Sequence, residues 1–223
     1  MIEAVLFDLF ETLITESGEQ PSGASSLGPR LGLDPDAFRI EWQRRRPALV
    51  RGQLSFVDAL AEIGLALGIS LNAAQLEQIR LERVRAKARV LARVEPGVLV
   101  VIDELLRRGK HVGLISNCIA EDVEFWPESE LAQRVPEPVF SFAVGLAKPE
   151  PAIYSLALER LGVAAQAAVF VGDGESDELA GASRAGLCSY RATWFLARWR
   201  PPPREWTEQG ALGKPEDVLA LDA

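Results

Sequence analysis

From about residue 95 to 193 the sequence alternates helix-length segments with short apolar runs, and a run of the same kind, Val5-Leu6-Phe7, opens the chain ahead of Asp8. Apolar runs of this length bounded by turn residues read as buried strands. Strands that alternate with helices imply a parallel sheet with right-handed crossovers, covered by helices on both faces. The strand candidates after the first are His111–Ser116, Val139–Val144, Ala167–Val171 and Leu187–Thr193. The helix candidates between them lie around Val98–Leu106, at Pro149–Leu161 and at Glu178–Arg184, with Gly109 and Gly162 at two C-terminal ends. Residues 118–137 are acidic, aromatic and broken by prolines, and read as a short helix with an irregular loop.

The block from 30 to 92 has a different character, with no strand candidate. Asp34-Pro35 is an N-cap followed by proline at the first helical position, and Phe38, Trp42 and Leu49 share the face that follows. Ser55 with Asp58 resembles a capping box, and Asn72 caps a third helix that carries Leu76, Ile79, Val84 and Val90. A Gly/Ser/Pro-rich loop at Ser17–Ser26 leads into this block. The expected fold class is therefore α/β: a Rossmann-like parallel sheet core flanked by helices, from residues 1–14 and 93–223, with an inserted all-helical segment at 15–92. Residues 195–223, with Trp199, Trp206, Pro201–Pro203 and interleaved arginines, read as an irregular tail pinned on the core by tryptophans such as Trp194.

Charge bounds the partners. A formal net charge of −8 argues against nucleic acid or an anionic membrane as the main partner. It leaves an anionic small molecule open, because a site needs only local positive charge. Two cysteines, Cys118 and Cys188, make no disulfide framework. No signal-peptide pattern or bilayer-length apolar run is evident, so a cytoplasmic location is expected.

Chemistry gathers at the strand tips. The first strand ends at Asp8, the second at Ser116-Asn117, the third runs to Lys148-Pro149, and the fourth ends in Gly172-Asp173-Gly174 with Asp177 one turn on. In open α/β sheets, ligands bind beyond the carboxyl ends of the strands. Three carboxylates there repel one another unless a cation joins them. Mg²⁺ takes hard oxygen ligands together with substrate phosphate oxygens, lysine serves as a point charge on phosphate, and glycine-rich turns bind anions. The residues alone thus imply a phosphate and Mg²⁺ site with an aspartate nucleophile at hand. Each element has a plainer reading as turn or cap chemistry; their order carries the weight.

That order resembles the haloacid dehalogenase superfamily of hydrolases, in its helical-cap subgroup. The matching motifs are Asp8-Leu-Phe-Glu-Thr12-Leu13, the strand ending at Ser116, Lys148-Pro149, and Gly172-Asp173 with Asp177, over about residues 1–195. The resemblance implies an Asp8 nucleophile assisted by Ser116 and Lys148. It also implies a Mg²⁺ site at Asp8, the Phe10 carbonyl, Asp173 and Asp177, and a cap domain at 15–92. Thr12, Asn117 and Arg51 are the substrate-binding candidates. Arg44, Arg45, Arg46 and Arg51 read first as a solvated helix face, with recognition of an anionic leaving group as the alternative. The implied substrate is a small phosphorylated or otherwise anionic metabolite.

One position departs from the family. Its phosphatases carry a second Asp two residues after the nucleophile as general acid and base; here Phe10 stands there and transfers no proton. Loss of such a group typically costs about 10²–10⁴-fold. Haloacid dehalogenases of the superfamily lack that Asp too, since halide leaves without a proton, but they use no Mg²⁺ and lack Gly-Asp-Gly. Three readings follow: a Mg²⁺-dependent phosphohydrolase, a metal-independent dehalogenase-like hydrolase, and a phosphate- or Mg²⁺-binding protein without turnover that acts through a partner.

Overall fold

The computed structural model describes residues 1–17, 24–196 and 210–221. Its centre is strand β1 (Ala4–Phe7), whose four residues are all buried. Val5 and Phe7 belong to one apolar cluster, and Ala4 and Leu6 to another on the opposite face. The period-2 alternation of a strand thus feeds two cores at once. β1 pairs in parallel with β2 (His111–Ser116) on one side and with β4 (Ala168–Gly172) on the other. Beyond β2 lies β3 (Val139–Phe140); beyond β4 lie β5 (Cys188–Ala192) and β6 (Ala211–Leu212). The order β3-β2-β1-β4-β5-β6 makes a six-stranded sheet, and every pairing in it is parallel. The chain reverses direction across the sheet between β1 and β4, and the crevice outside that switch point is where ligands bind in such folds.

Helices cover both faces. α5 (Pro96–Arg107) presents Val98, Val101, Ile102 and Leu105 to the Val5/Phe7 face. α7 (Pro151–Leu161) and α8 (Glu178–Arg184) close the other face with Ile153, Tyr154, Ala157 and Ala182. Gly113 in β2 leaves room for this packing: a Cβ there would lie 2.4 Å from Leu6 Cδ2.

The 24–91 stretch forms α1 (Ala24–Arg30), α2 (Pro35–Val50), α3 (Phe56–Ala66) and α4 (Ala73–Leu91). They start where the sequence caps them. The side chains of Asp34, Ser55 and Asn72 accept from the backbone N–H groups of Ala37, Asp58 and Gln75, and Asn72 and Gln75 form a reciprocal capping box. These helices have their own apolar cluster, in which Trp42 stacks on Phe38 at 6.2 Å and meets Phe56 edge-on at 6.0 Å.

Two sequence expectations change. The strand expected over Val139–Val144 stops after two residues, and Ser141–Val144 is a helical turn, α6. The cause is Ser141, whose buried hydroxyl accepts from Cys118 N at 3.0 Å and donates to Cys118 O at 3.2 Å, which curls the chain off the sheet. The tail is not wholly irregular, because Ala211–Leu212 extends the sheet and a 3-10 helix at Pro215–Ala220 lies beside α5. Trp199, Trp206, Pro201–Pro203 and their arginines lie outside the described residues, whereas Trp194 Nε1 donates to the Thr12 carbonyl at 2.9 Å. Among the described residues no helix is long and apolar enough to cross a membrane.

Candidate active site

Asp8 sits one residue past β1, its backbone N–H donating to Val171 O at 2.9 Å, so the chain leaves the sheet in register with β4. The next residues turn at once. Glu11 takes a left-handed φ of 56°, and Leu13 and Ile14 both donate back to Leu9 O. β4 ends in Gly172, and Asp173 follows, its Oδ1 accepting from Glu175 N at 2.8 Å. Gly172 has no side chain for a reason of space: a Cβ there would lie 2.1 Å from Glu178 Oε1.

Lys148 reaches the same point from the segment ahead of α7, past a cis peptide bond to Pro149. Its backbone is clamped from both ends by Asn117: Lys148 N donates to Asn117 Oδ1, and Asn117 Nδ2 donates to Lys148 O, each at 2.8 Å. The buried ammonium then bonds Asp8 Oδ1 and lies 2.5 Å from Glu178 Oε2. One ligand oxygen each of Asp8, Asp173 and Glu178 lies within 4.8 Å of the others, and all three side chains are buried.

Three buried carboxylates crowd around one ammonium, and burial dominates the titration of the two aspartates. It pushes the Asp8 carboxyl up to about 8, against the pull of the Lys148 charge. It pushes Asp173 up to about 6, against the Glu175 N–H. Burial opposes the Lys148 charge, but Asp8 and Glu178 outweigh it and raise its pKa. For stability the sign follows directly. Both aspartates titrate above the ordinary 3.8, so without metal these two groups hold more protons in the folded protein than in the unfolded chain between 3.8 and about 8. Their contribution to stability therefore falls as pH rises across that window. Thermal melting in EDTA at pH 5.5 and pH 8 checks this: the midpoint is expected to be lower at pH 8, and a higher midpoint there contradicts it.

The group faces a cavity of about 390 Å³ between sheet and helices. Its floor is Asp8, Phe10, Asn117, Lys148, Asp173 and Glu178; α2 contributes Trp42, Arg46, Leu49 and Val50, and α4 contributes Arg83 and Lys87. Glu11, Glu16, Cys118, Ile119, Asp122, Glu175, Ser176 and Leu196 complete the lining. The half-buried Phe10 ring lies beneath Lys87 Nζ, 4.3 Å from the ring centroid. Lys87 is itself buried, 2.5 Å from Glu16 Oε1 and 3.6 Å from Asp122 Oδ1, and Arg83 bonds Asp122 at 2.6 Å. Burial pushes the Cys118 thiol up, which leaves it no thiolate character.

The structure brings Asp8, Phe10, Asn117, Lys148 and Asp173 together in this cavity. Ser116 lies fully buried at the tip of β2, its hydroxyl without an oxygen or nitrogen partner. Thr12 is also fully buried and does not line the cavity. Arg51 pairs with Glu150 instead of facing the cavity. Asp177 points to solvent and meets Arg184 at 3.4 Å, and the carboxylate that joins the cluster is its neighbour Glu178. Ser176 and Asp177 both take left-handed backbone, at φ 57° and 55°, which turns the acid after them inward. The sequence held a signal for this: Glu178, Gly181 and Ala182 share one face of α8 and are all buried. Lys87 had a similar one, lying between Val84 and the pair Val90 and Leu91 on the buried stripe of α4.

Glu178 holds two donors, Lys148 Nζ and Gly174 N. Glu178→Ala leaves both short of an acceptor in a buried site and is expected to destabilise the protein by about 1–3 kcal/mol. Chemical denaturation measures this; an unchanged midpoint would show that the network holds nothing in place.

A family model for haloacid dehalogenase-like hydrolases matches residues 2–186. The chain belongs to this family. The phosphoglycolate phosphatase of Xanthomonas campestris pv. campestris (strain 8004) is 28% identical over 221 residues, covering 96% of this chain and 94% of the relative. The glyceraldehyde 3-phosphate phosphatase of Methanopyrus kandleri is 29% identical over 202 residues, covering 86% and 84%. Among solved structures, a HAD-family enzyme of Bacteroides thetaiotaomicron in complex with magnesium and inorganic phosphate superposes with a TM-score of 0.66 at 18% identity, over 93% of this chain and 98% of that one. A 2-haloacid dehalogenase of Pseudomonas syringae pv. tomato DC3000 superposes with a TM-score of 0.63 at 23% identity, over the whole of both chains. The two structures share the fold of this HAD-like hydrolase.

Proposed function

We propose that this HAD-like hydrolase is a Mg²⁺-dependent phosphomonoesterase acting on a small phosphorylated metabolite, with Asp8 as nucleophile and residues 15–92 as its cap. The observation that carries the reading is the convergence of Asp8, Asp173 and Glu178 around Lys148 at the sheet's switch point. Carbon–halogen cleavage needs one carboxylate, and three buried ones sharing a single ammonium would be costly without a further cation. The donor set fits Mg²⁺, being hard carboxylate oxygens at close range. Asp8, Asp173 and the Phe10 carbonyl would hold the ion, with Glu178 rather than Asp177 as the further acid. When bound, it would offset phosphate charge and fix the reacting geometry.

Asp8 attacks phosphorus: a carboxylate O–P bond forms and the P–O bond to the leaving group breaks. Water then attacks phosphorus, inorganic phosphate departs, and the Asp8 carboxylate is restored. Lys148 orients Asp8 and carries positive charge toward the phosphoryl oxygens, its position fixed by the two bonds to Asn117. The Ser116 hydroxyl, at the tip of β2 next to Asn117 and without an oxygen or nitrogen partner, would donate to the phosphoryl group. Phe10 offers no proton to the leaving oxygen, so aryl and acyl phosphates, which leave as stable anions, are the favoured substrates.

Hydrolysis of para-nitrophenyl phosphate across a Mg²⁺ titration tests the proposal, with halide release from 2-chloropropionate in EDTA as the competing reaction. Turnover that requires Mg²⁺ is expected. Halide release in EDTA with no phosphate release would instead favour the dehalogenase chemistry that Phe10 permits.

A further inference from the structure

The cavity lining contains four cations, and three are held by carboxylates. Lys148 bonds Asp8 and Glu178, Lys87 bonds Glu16 and lies close to Asp122, and Arg83 bonds Asp122. The fourth, Arg46, lines the same cavity half-buried, with no ion pair or hydrogen bond among the described residues. Its neighbours differ: Arg44 and Arg45 both pair with Glu41, and Arg45 also reaches Glu62 at 2.9 Å. Arg46 stands four residues after Trp42 and three and four before Leu49 and Val50, so these four make one stripe along α2, and all four line the cavity. The contribution of α2 to the lining is thus an apolar stripe with one guanidinium that has no partner among the described residues.

A guanidinium in such a stripe is completed by a planar anion that accepts its fork of N–H groups. The phosphoryl group is already provided for by Lys148 and the nucleophile's end of the cavity. The anion at Arg46 therefore belongs to the leaving group. We propose that Arg46 is a specificity-determining residue, and that the substrate is a phosphomonoester whose leaving group carries a carboxylate on a small apolar frame. This assignment rests on the phosphomonoesterase reading above for the position of the phosphoryl group. A rival recognition site is Glu175, also in the lining but exposed and close to Asp173; it would select an ammonium group instead.

Two matched pairs test the assignment: 2-phosphoglycolate against its amide, and 4-carboxyphenyl phosphate against 4-carbamoylphenyl phosphate. O-phosphoethanolamine serves as the cationic comparison. In wild-type protein with Mg²⁺, kcat/KM for the acid is expected to exceed that for the amide in at least one pair by about 10- to 100-fold, the range of a charge-assisted hydrogen bond. In Arg46→Gln that ratio is expected to collapse toward one, through KM rather than kcat. Binding to Asp8→Asn protein, with and without Arg46→Gln, reads the same ratio as Kd without any turnover. Absence of hydrolysis in wild type would therefore overturn the phosphomonoesterase reading while the Kd ratio still decides on Arg46. A ratio near one in wild type, a ratio unmoved by Arg46→Gln, or a preference for O-phosphoethanolamine overturns the assignment.

Discussion

Turnover of para-nitrophenyl phosphate with Mg²⁺ is expected to fall by at least about 10⁴-fold in the Asp8→Asn variant, the scale of losing a covalent nucleophile. An amide is nearly the size of the carboxylate but attacks phosphorus far less readily. The fold is expected to survive, because Lys148 keeps Glu178 as a buried partner and the excess of carboxylates around it falls by one. Unchanged melting together with lost turnover separates a chemical role for Asp8 from a structural one. Turnover that persists in Asp8→Asn would place the chemistry elsewhere.

Phe10→Asp is expected to act in the opposite direction and on selected substrates. It places a carboxyl group where the family's phosphatases have their general acid and base. Lys87 Nζ already lies 4.3 Å above the ring that would be replaced, so the new charge would not be left unpaired. Turnover of alkyl phosphates is expected to rise by about 10²-fold, the lower part of the range for a positioned acid. Nitrophenyl phosphate, whose leaving group needs no proton, is expected to gain much less. A steep dependence of rate on leaving-group acidity in wild type that flattens in Phe10→Asp is the corresponding signature. Equal effects on both substrate types would show that Phe10 matters for packing alone.

Local chemistry was legible in the sequence where it is set by local chain geometry. Asp8 and Asp173 each follow a short apolar run, Lys148 stands just before the proline ahead of α7, and the parallel sheet brings such tips together. The helix starts at Asp34, Ser55 and Asn72 were legible for the same reason. Choices between neighbours were not. Whether Asp177 or Glu178 joins the carboxylate cluster depends on two consecutive left-handed residues, which motif spacing does not reveal. Whether Arg46 or Arg51 faces the cavity depends on helix phase: Arg46 shares the stripe of Trp42, whereas Arg51 is the C-cap of α2 and pairs with Glu150. The ion network of Glu16, Asp122, Arg83 and Lys87 joins residues far apart in sequence and left only the mark of a lysine on an apolar helix face. Strand β6 has two residues, too few for any alternation to show.

Trapping of the covalent intermediate bears most directly on the central claim. Protein mixed with para-nitrophenyl phosphate and Mg²⁺ is quenched in acid, reduced with borohydride, digested and read by mass spectrometry. An aspartyl phosphate at Asp8 would be reduced to homoserine at position 8, in reactions containing both Mg²⁺ and substrate and in neither control. Phosphate release with Asp8 intact, or reduction at another carboxylate, would contradict the account.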